Sequence, residues 1–215
     1  MAGLAMSALQ WAMPLQNRVT PFGEFIATSA RGTLMGNRGG QMHDDERGLT
    51  KRRWASKQWI CCRLDFNNRH RKVWGNSYTE LFFLDEVTAF AAGHRPCFEC
   101  RRKDAERFAT LSGRAGKRAT ASEMDGCLHA ERLEGRAKRL HTCAVEELPD
   151  AAMIVRGDEA FALLGTRILR WSPAGYTKFL TRPRGITVDV LTPPSVLAVL
   201  ARGYRVLWHS SASAR

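Results

Sequence analysis

LFFLDEVTAFAAGHRPCFECRRKDA, residues 81–105, decides how the rest of the chain is read. It opens on an apolar run. Asp85 follows where a helix needs an N-cap, since its carboxylate can accept a hydrogen bond from the first turn's free N–H groups. Val87, Phe90 and Ala91 recur at helical spacing and predict a stripe facing a core. Gly93, which takes positive φ without steric penalty, is placed to end that helix. A tight turn, HRPCFEC, leads to a second helix predicted over 98–111. Phe98, Ala105 and Phe108 should face inward, with Lys103 and Arg107 on the opposite stripe. Cys97 and Cys100 lie in the turn between the two helices. Their C-x-x-C spacing lets two thiolates converge on one ion. The N-terminal dipole of the second helix, with Arg101 and Arg102 close by, favours the thiolate forms. A redox pair and plain packing are the alternatives, although thioredoxin-like pairs follow a strand and here a helix precedes.

Outward from this segment the chain reads as α+β: a small mixed sheet with the helix–CxxC–helix unit, then a β-rich C-terminal unit. Upstream, RVTPFGEFIA (18–27) predicts a strand turned at Pro21 and Gly23. KQWICCRLDF (57–66) predicts a central strand, and KVWGNSYTELFFL (72–84) predicts another. Downstream, SGRAGKRATAS (112–122) reads as a flexible basic linker. Ser122 with Asp125 predicts a capping box for a third helix ending near Gly135. AMIVRGDEAFALLGTRILRW (152–171) alternates apolar runs with glycine turns and predicts hairpins. GITVDVLTPPSVLAVLARGYRVLW (185–208) predicts strand, helix, strand, with Thr192 or Ser195 as the cap. The expected divisions are an extension over 1–12, disordered or mis-assigned; a zinc-containing domain over 13–120; a helical basic connector over 121–147; and the β-rich unit over 148–215.

Composition narrows the partners. Lys and Arg number 33 against 21 Asp and Glu, a net charge of +12 in 215 residues. Such an excess favours polyanions, nucleic acid first, although a merely basic surface has the same composition. The segments RHRK, RRK, RAGKR and RAKR carry much of it, and Trp54, Trp59 and Trp74 lie near the first. Cations would bind backbone phosphates and exposed rings would stack on bases; buried rings would simply be core. No apolar run is long enough to cross a bilayer. The first residues lack a positive segment and a cleavage site, so a cytoplasmic protein with reduced thiols is expected.

The 78–105 window resembles the second half of the metal-binding domain of the Ada DNA-repair family. A strand and a capped Ala-rich helix lead there into A-A-G-F-R-P-C-x-x-C. The matching residues are Phe83, Ala91, Ala92, Gly93, Arg95, Pro96, Cys97 and Cys100, with His94 at the aromatic position. The resemblance implies a small zinc domain that touches DNA. The family has two further cysteines upstream, a few residues apart, one of which accepts a methyl group from a DNA phosphotriester. This chain has only the adjacent Cys61 and Cys62, so the resemblance carries metal ligation by Cys97 and Cys100 and not the repair chemistry. The wider layout, from NRVTPFG through MGNRG, LHAERL and LTPPS, is similar to a bacterial family for which the resemblance implies no activity.

A zinc site takes about four ligands. Neighbouring strand residues point to opposite faces, so one of Cys61 and Cys62 should reach the ion. His94 and His129 are further candidates, the latter within a group formed with Cys127, His141 and Cys143. Cys127 shares a helical face with Met124 and Leu128 and reads first as a buried thiol. MGNRGG (35–40) can cradle a phosphate through backbone amides with Arg38 adding charge; an ordinary turn is the alternative. The expected function is zinc-dependent nucleic-acid binding, DNA before RNA, with Arg69, Arg71, Arg95, Arg101, Arg102 and Lys103 on or near the contact face. A metal-dependent nuclease or phosphodiesterase and a structural-zinc adaptor are the alternatives.

Overall fold

The computed structural model describes residues 13–69, 72–114 and 116–213, so the extension expected over 1–12 lies outside the described residues. Gly23, at φ +78°, closes a turn whose N–H donates to Thr20 O at 2.8 Å. That turn pairs β1 (Arg18–Val19) with β2 (Phe25–Ile26) antiparallel. β3 (Leu34–Asn37), β4 (Ile60–Cys62), β5 (Leu81–Phe83) and β6 (Arg95–Pro96) complete a mixed sheet in the order β2-β1-β5-β3-β4-β6. β4 is an interior strand, as its apolar content on both faces predicts. The strands expected over 57–66 and 72–84 shrink to three residues each, because the chain turns on either side. Asn67, Asn68 and Trp74 take positive φ there.

α1 (Glu86–Ala91) follows β5. Asp85 caps it, accepting from the Thr88 N–H at 2.9 Å, and Gly93 leaves it at φ +84°. All six of its residues are buried. α2 (Arg102–Ser112) starts four residues later than predicted. Residues 97–101 form a turn closed by Arg101 N–H to Cys97 O at 3.0 Å, and Phe98 packs on the core from that turn. α3 (Ala121–Arg132) has a capping box, but Thr120 and Glu123 make it. Ser122 was the expected cap; its proposed partner Asp125 faces inward instead and binds Arg95.

Within 121–147 lie α3, a hairpin of β7 (Leu133–Glu134) and β8 (Ala137–Lys138), and β9 (His141–Ala144). β10 (Met153–Arg156), β11 (Glu159–Leu164), β12 (Arg167–Ser172) and β13 (Gly175–Thr181) form a meander, whose first three strands are the hairpins expected over 152–171. β14 (Thr187–Val190) and β9 extend it into a second six-stranded sheet, antiparallel throughout. α4 (Pro194–Ala201) has proline at its start and no side-chain cap. The expected cap Thr192 accepts from Met153 N–H instead, and Ser195 binds Glu131. After α4 the predicted strand is absent, and the chain runs without pairing to a 3-10 turn at Ser210–Ser213.

Each side of the expected boundary over 121–147 has a sheet with its own buried cluster, and a third cluster spans the boundary. That cluster joins Leu84, Val87 and Phe90 to Met153, Leu169 and Val199. Tyr204 lies 5.4 Å from the Phe90 ring and 5.7 Å from Phe108. The C-terminal chain also completes the start of α1. Tyr176 OH donates to Asp85 at 2.8 Å, and Tyr204 OH and Leu207 N–H donate to Glu86 at 3.0 and 2.9 Å. Burial pushes both carboxyls up from their ordinary values, and these donors, with Arg101 beside Glu86, oppose it.

Candidate metal centre

β4 and β6 run parallel with Cys61 opposite Pro96, so Cys62 and Cys97 leave the sheet side by side. The turn before α2 brings Cys100 back onto them. The sulfur atoms of Cys62, Cys97 and Cys100 all lie within 4.8 Å of one another. Tetrahedral thiolates at about 2.3 Å from an ion sit roughly 3.8 Å apart, so small movements close the cluster on a metal. Two backbone N–H groups already point at sulfur: Arg63 to Cys100 and Glu99 to Cys97, each at 3.4 Å. Hydrogen bonds from Cys100 and Cys62 hold Cys97 well below the usual thiol range, while Cys62 is pushed up by sharing its proton with Cys100 and Cys97. Metal-free, the cluster therefore favours one thiolate held by thiol donors.

Cys61 points the other way. It is fully buried, and Arg101 donates to its sulfur at 3.0 Å; burial pushes its thiol up, with Arg101 opposing. Pleating decides this between the adjacent cysteines. Neither expected histidine joins the cluster. His94 is buried against Trp59 and Phe83 at 5.1 and 4.7 Å, filling the aromatic position as an aromatic ring. Desolvation, with Arg38 and Arg132 near, takes its pKa well below the ordinary value and keeps it neutral. His129, on α3, bonds Arg132 at 3.0 Å and meets Trp54 edge-on. The looser group around it does not converge: Cys127 is exposed rather than buried, bonding Glu131 at 3.3 Å, and His141 bonds the Glu131 carbonyl.

A cavity of about 280 Å³ adjoins the thiols, with Phe66, Tyr78, Glu80 and Arg69 on its wall. Glu80 was not legible as a site residue. It is 2% exposed; one carboxylate oxygen accepts from Trp74 N–H at 2.8 Å, and the other has no partner. Trp74 donates from a left-handed backbone at φ +57°, and its indole N–H binds Glu80 O at 2.9 Å. His43 stacks on that indole and bonds Thr79. The signal was a non-glycine residue in a strained turn, which sequence does not display.

The expected nucleic-acid face divides. Arg95 and Arg101 are 2% exposed and do not belong to it. Arg95 binds both Asp125 oxygens at 2.8 Å, and Arg101 lies 2.7 Å from Glu86. Both were placed outside because they flank a surface turn, yet each satisfies a carboxylate that the fold has buried. Arg102 and Lys103 are exposed, Arg102 pairing with Glu106. Arg69 is exposed and pairs with Glu99 at 2.7 Å. Arg71 lies outside the described residues.

No family model, curated protein or solved structure matches the chain. Among the described residues no helix is long and apolar enough to cross a membrane.

Proposed function

We propose that this is a zinc protein that binds nucleic acid, DNA in the first instance, through cations placed around the metal. The convergence of Cys62, Cys97 and Cys100 is the observation that carries the reading. Soft thiolates select zinc over hard cations. All six cysteines are free, which suits a reducing cytoplasm. Exposed Arg63 lies beside the cluster, and Arg102 and Lys103, exposed at the start of α2, present further cations to backbone phosphates. The likeness of residues 78–105 to the Ada metal-binding domain supports DNA as the partner.

The test has two readouts. Elemental analysis should find about one zinc per chain. A binding isotherm on mixed-sequence duplex should weaken steeply with salt, since phosphate contacts release counterions. Charge reversal at Arg102 and Lys103 should weaken every sequence alike. Zinc without binding at low salt would leave the structural-zinc adaptor. A metal-dependent phosphodiesterase is the second reading, favoured by the unpartnered Glu80 oxygen in the cavity beside the thiols. An open metal position with a nearby base is what hydrolysis requires, and chelator-sensitive strand cleavage would select it.

A further inference from the structure

Arg38, within the glycine-rich MGNRGG segment, follows the end of β3, and the thiol centre makes no use of it. In the structure it is one of five cations around a single cavity. Arg38, Arg53, Arg132, Arg136 and Lys138 line it with Trp54 and Trp59, and no acidic side chain does. Arg38 and Arg132 are each 1% exposed. Both guanidinium carbons lie 3.7 Å from the Trp59 ring centroid, so one indole carries two like charges.

Carbonyls hold these cations without neutralising them. Arg38 donates to Gly23 O at 2.8 Å, Arg132 to Gly93 O and Lys57 O at 2.8 Å, and the enclosed Lys138 ammonium to Ala91 O. Asp125, the carboxylate that acts on Arg132, is already held through both oxygens by Arg95. Desolvation, reinforced by Arg38 and Arg132, pulls the Lys138 ammonium down to about 7; desolvation likewise pulls Arg132 to about 9. The Arg132 Nε is buried with no hydrogen-bond partner. Like charges gathered out of water are costly unless an opposite charge joins them.

We infer that this cavity binds a terminal phosphate, either free phosphate or the end of a phosphomonoester. Its enclosed volume of about 20 Å³ holds about one water, so the anion seats at the cavity mouth and sends in no more than an oxygen. An internal phosphodiester carries a sugar on both sides and does not seat at such a mouth; a terminal phosphate carries at most one. Arginine forks match tetrahedral oxyanions in geometry as well as charge. Partly exposed Trp54 at the cavity offers a face to whatever the phosphate bears. The site shares no residue with the thiol cluster and does not depend on it.

The experiment is calorimetric titration of the intact chain with inorganic phosphate, against chloride at matched ionic strength. Saturable one-to-one binding is expected, with sulfate competing. Arg132→Gln risks unfolding the protein, so the variants are Arg53→Gln and Arg136→Gln, the latter exposed. Each should weaken phosphate about tenfold, as expected for removing one charged hydrogen-bond donor. Cys62→Ser should bind phosphate as the wild type does, which separates this site from the metal reading. A second arm compares a 5′-phosphorylated oligonucleotide with its 5′-hydroxyl form. Preference for the phosphorylated end supports the site and assigns it to polynucleotide termini; equal binding, with inorganic phosphate still saturating, supports it and assigns it to free phosphate. No saturable phosphate binding above chloride overturns the inference, as does wild-type affinity in both arginine variants.

Discussion

The two sides of the N-terminal sheet carry opposite chemistry. Met35, Asn37, Ile60, Cys62 and Phe82 face the cavity of thiols and Glu80. Their strand neighbours Gly36, Cys61, Leu81 and Phe83 face the other way, toward α1, His94 and Trp59. Past the strand ends Arg38 and Trp59 continue the second set, and there the cations gather. A period of two residues separates an electron-rich, metal-ready face from a cationic one across a single layer of backbone. The lesson is that net charge described neither face: the +12 total conceals an anion-seeking cavity and a cation-seeking cluster.

The comparison breaks most severely where a buried ion pair supports the thiol side. Arg101 ties Glu86 and Cys61 together beneath the CxxC turn. Arg101→Ala should cost about 3–5 kcal/mol in chemical unfolding, since it leaves a buried carboxylate uncompensated. A loss below about 1 kcal/mol would show that water or another cation reaches Glu86.

Next in size is metal content. Cys62→Ser and Cys97→Ser should each lose most bound zinc, while Cys61→Ser should keep it. Equal zinc in the Cys61 and Cys62 variants would contradict the alternation. Metal binding displaces thiol protons, so zinc should leave as pH falls, and titration with a chromogenic chelator across pH reads this.

The cationic side makes a pH prediction of opposite origin. Lys138 sits at about 7 in the fold against about 10.4 in an unfolded chain. Between those values the unfolded state binds more protons, so this lysine's contribution makes stability rise with pH across that window and stay level below it. Lys138→Met should lose that slope, so the difference between the wild-type and variant unfolding curves should rise across the window, and saturating phosphate should flatten the wild-type curve. A difference curve level from pH 7 to 10 would mean that the ammonium is solvated.

The smallest effect belongs to the rim. Arg69→Ala breaks an exposed pair with Glu99 and should change stability by less than about 1 kcal/mol, with zinc content intact. Zinc loss in this variant would mean that the pair shapes the thiol cluster.

The sequence by itself determined the capped α1, its glycine exit, the C-x-x-C turn and the first hairpins of the C-terminal meander. Each rests on contacts within a few residues: Asp85 with Thr88, Gly93 at positive φ, and paired strands joined by short glycine turns. It also determined that only one of Cys61 and Cys62 can reach an ion, because alternation is a local property. Which one, and whether Cys127 is inside or out, depended on the layers packed against each face. The caps of α3 and α4 were misread for the same reason: Asp125, Thr192 and Ser195 have local capping geometry available but bind Arg95, Met153 and Glu131 across the fold. Only the tertiary structure buried Arg95 and Arg101, joined the two sheets through one shared cluster and drew Arg38 and Arg132 onto one indole. A charge declares its sign in sequence, but the long-range partners that bury Arg38 and Asp85 lie 15 to 124 positions away, and those distances close only when the chain folds.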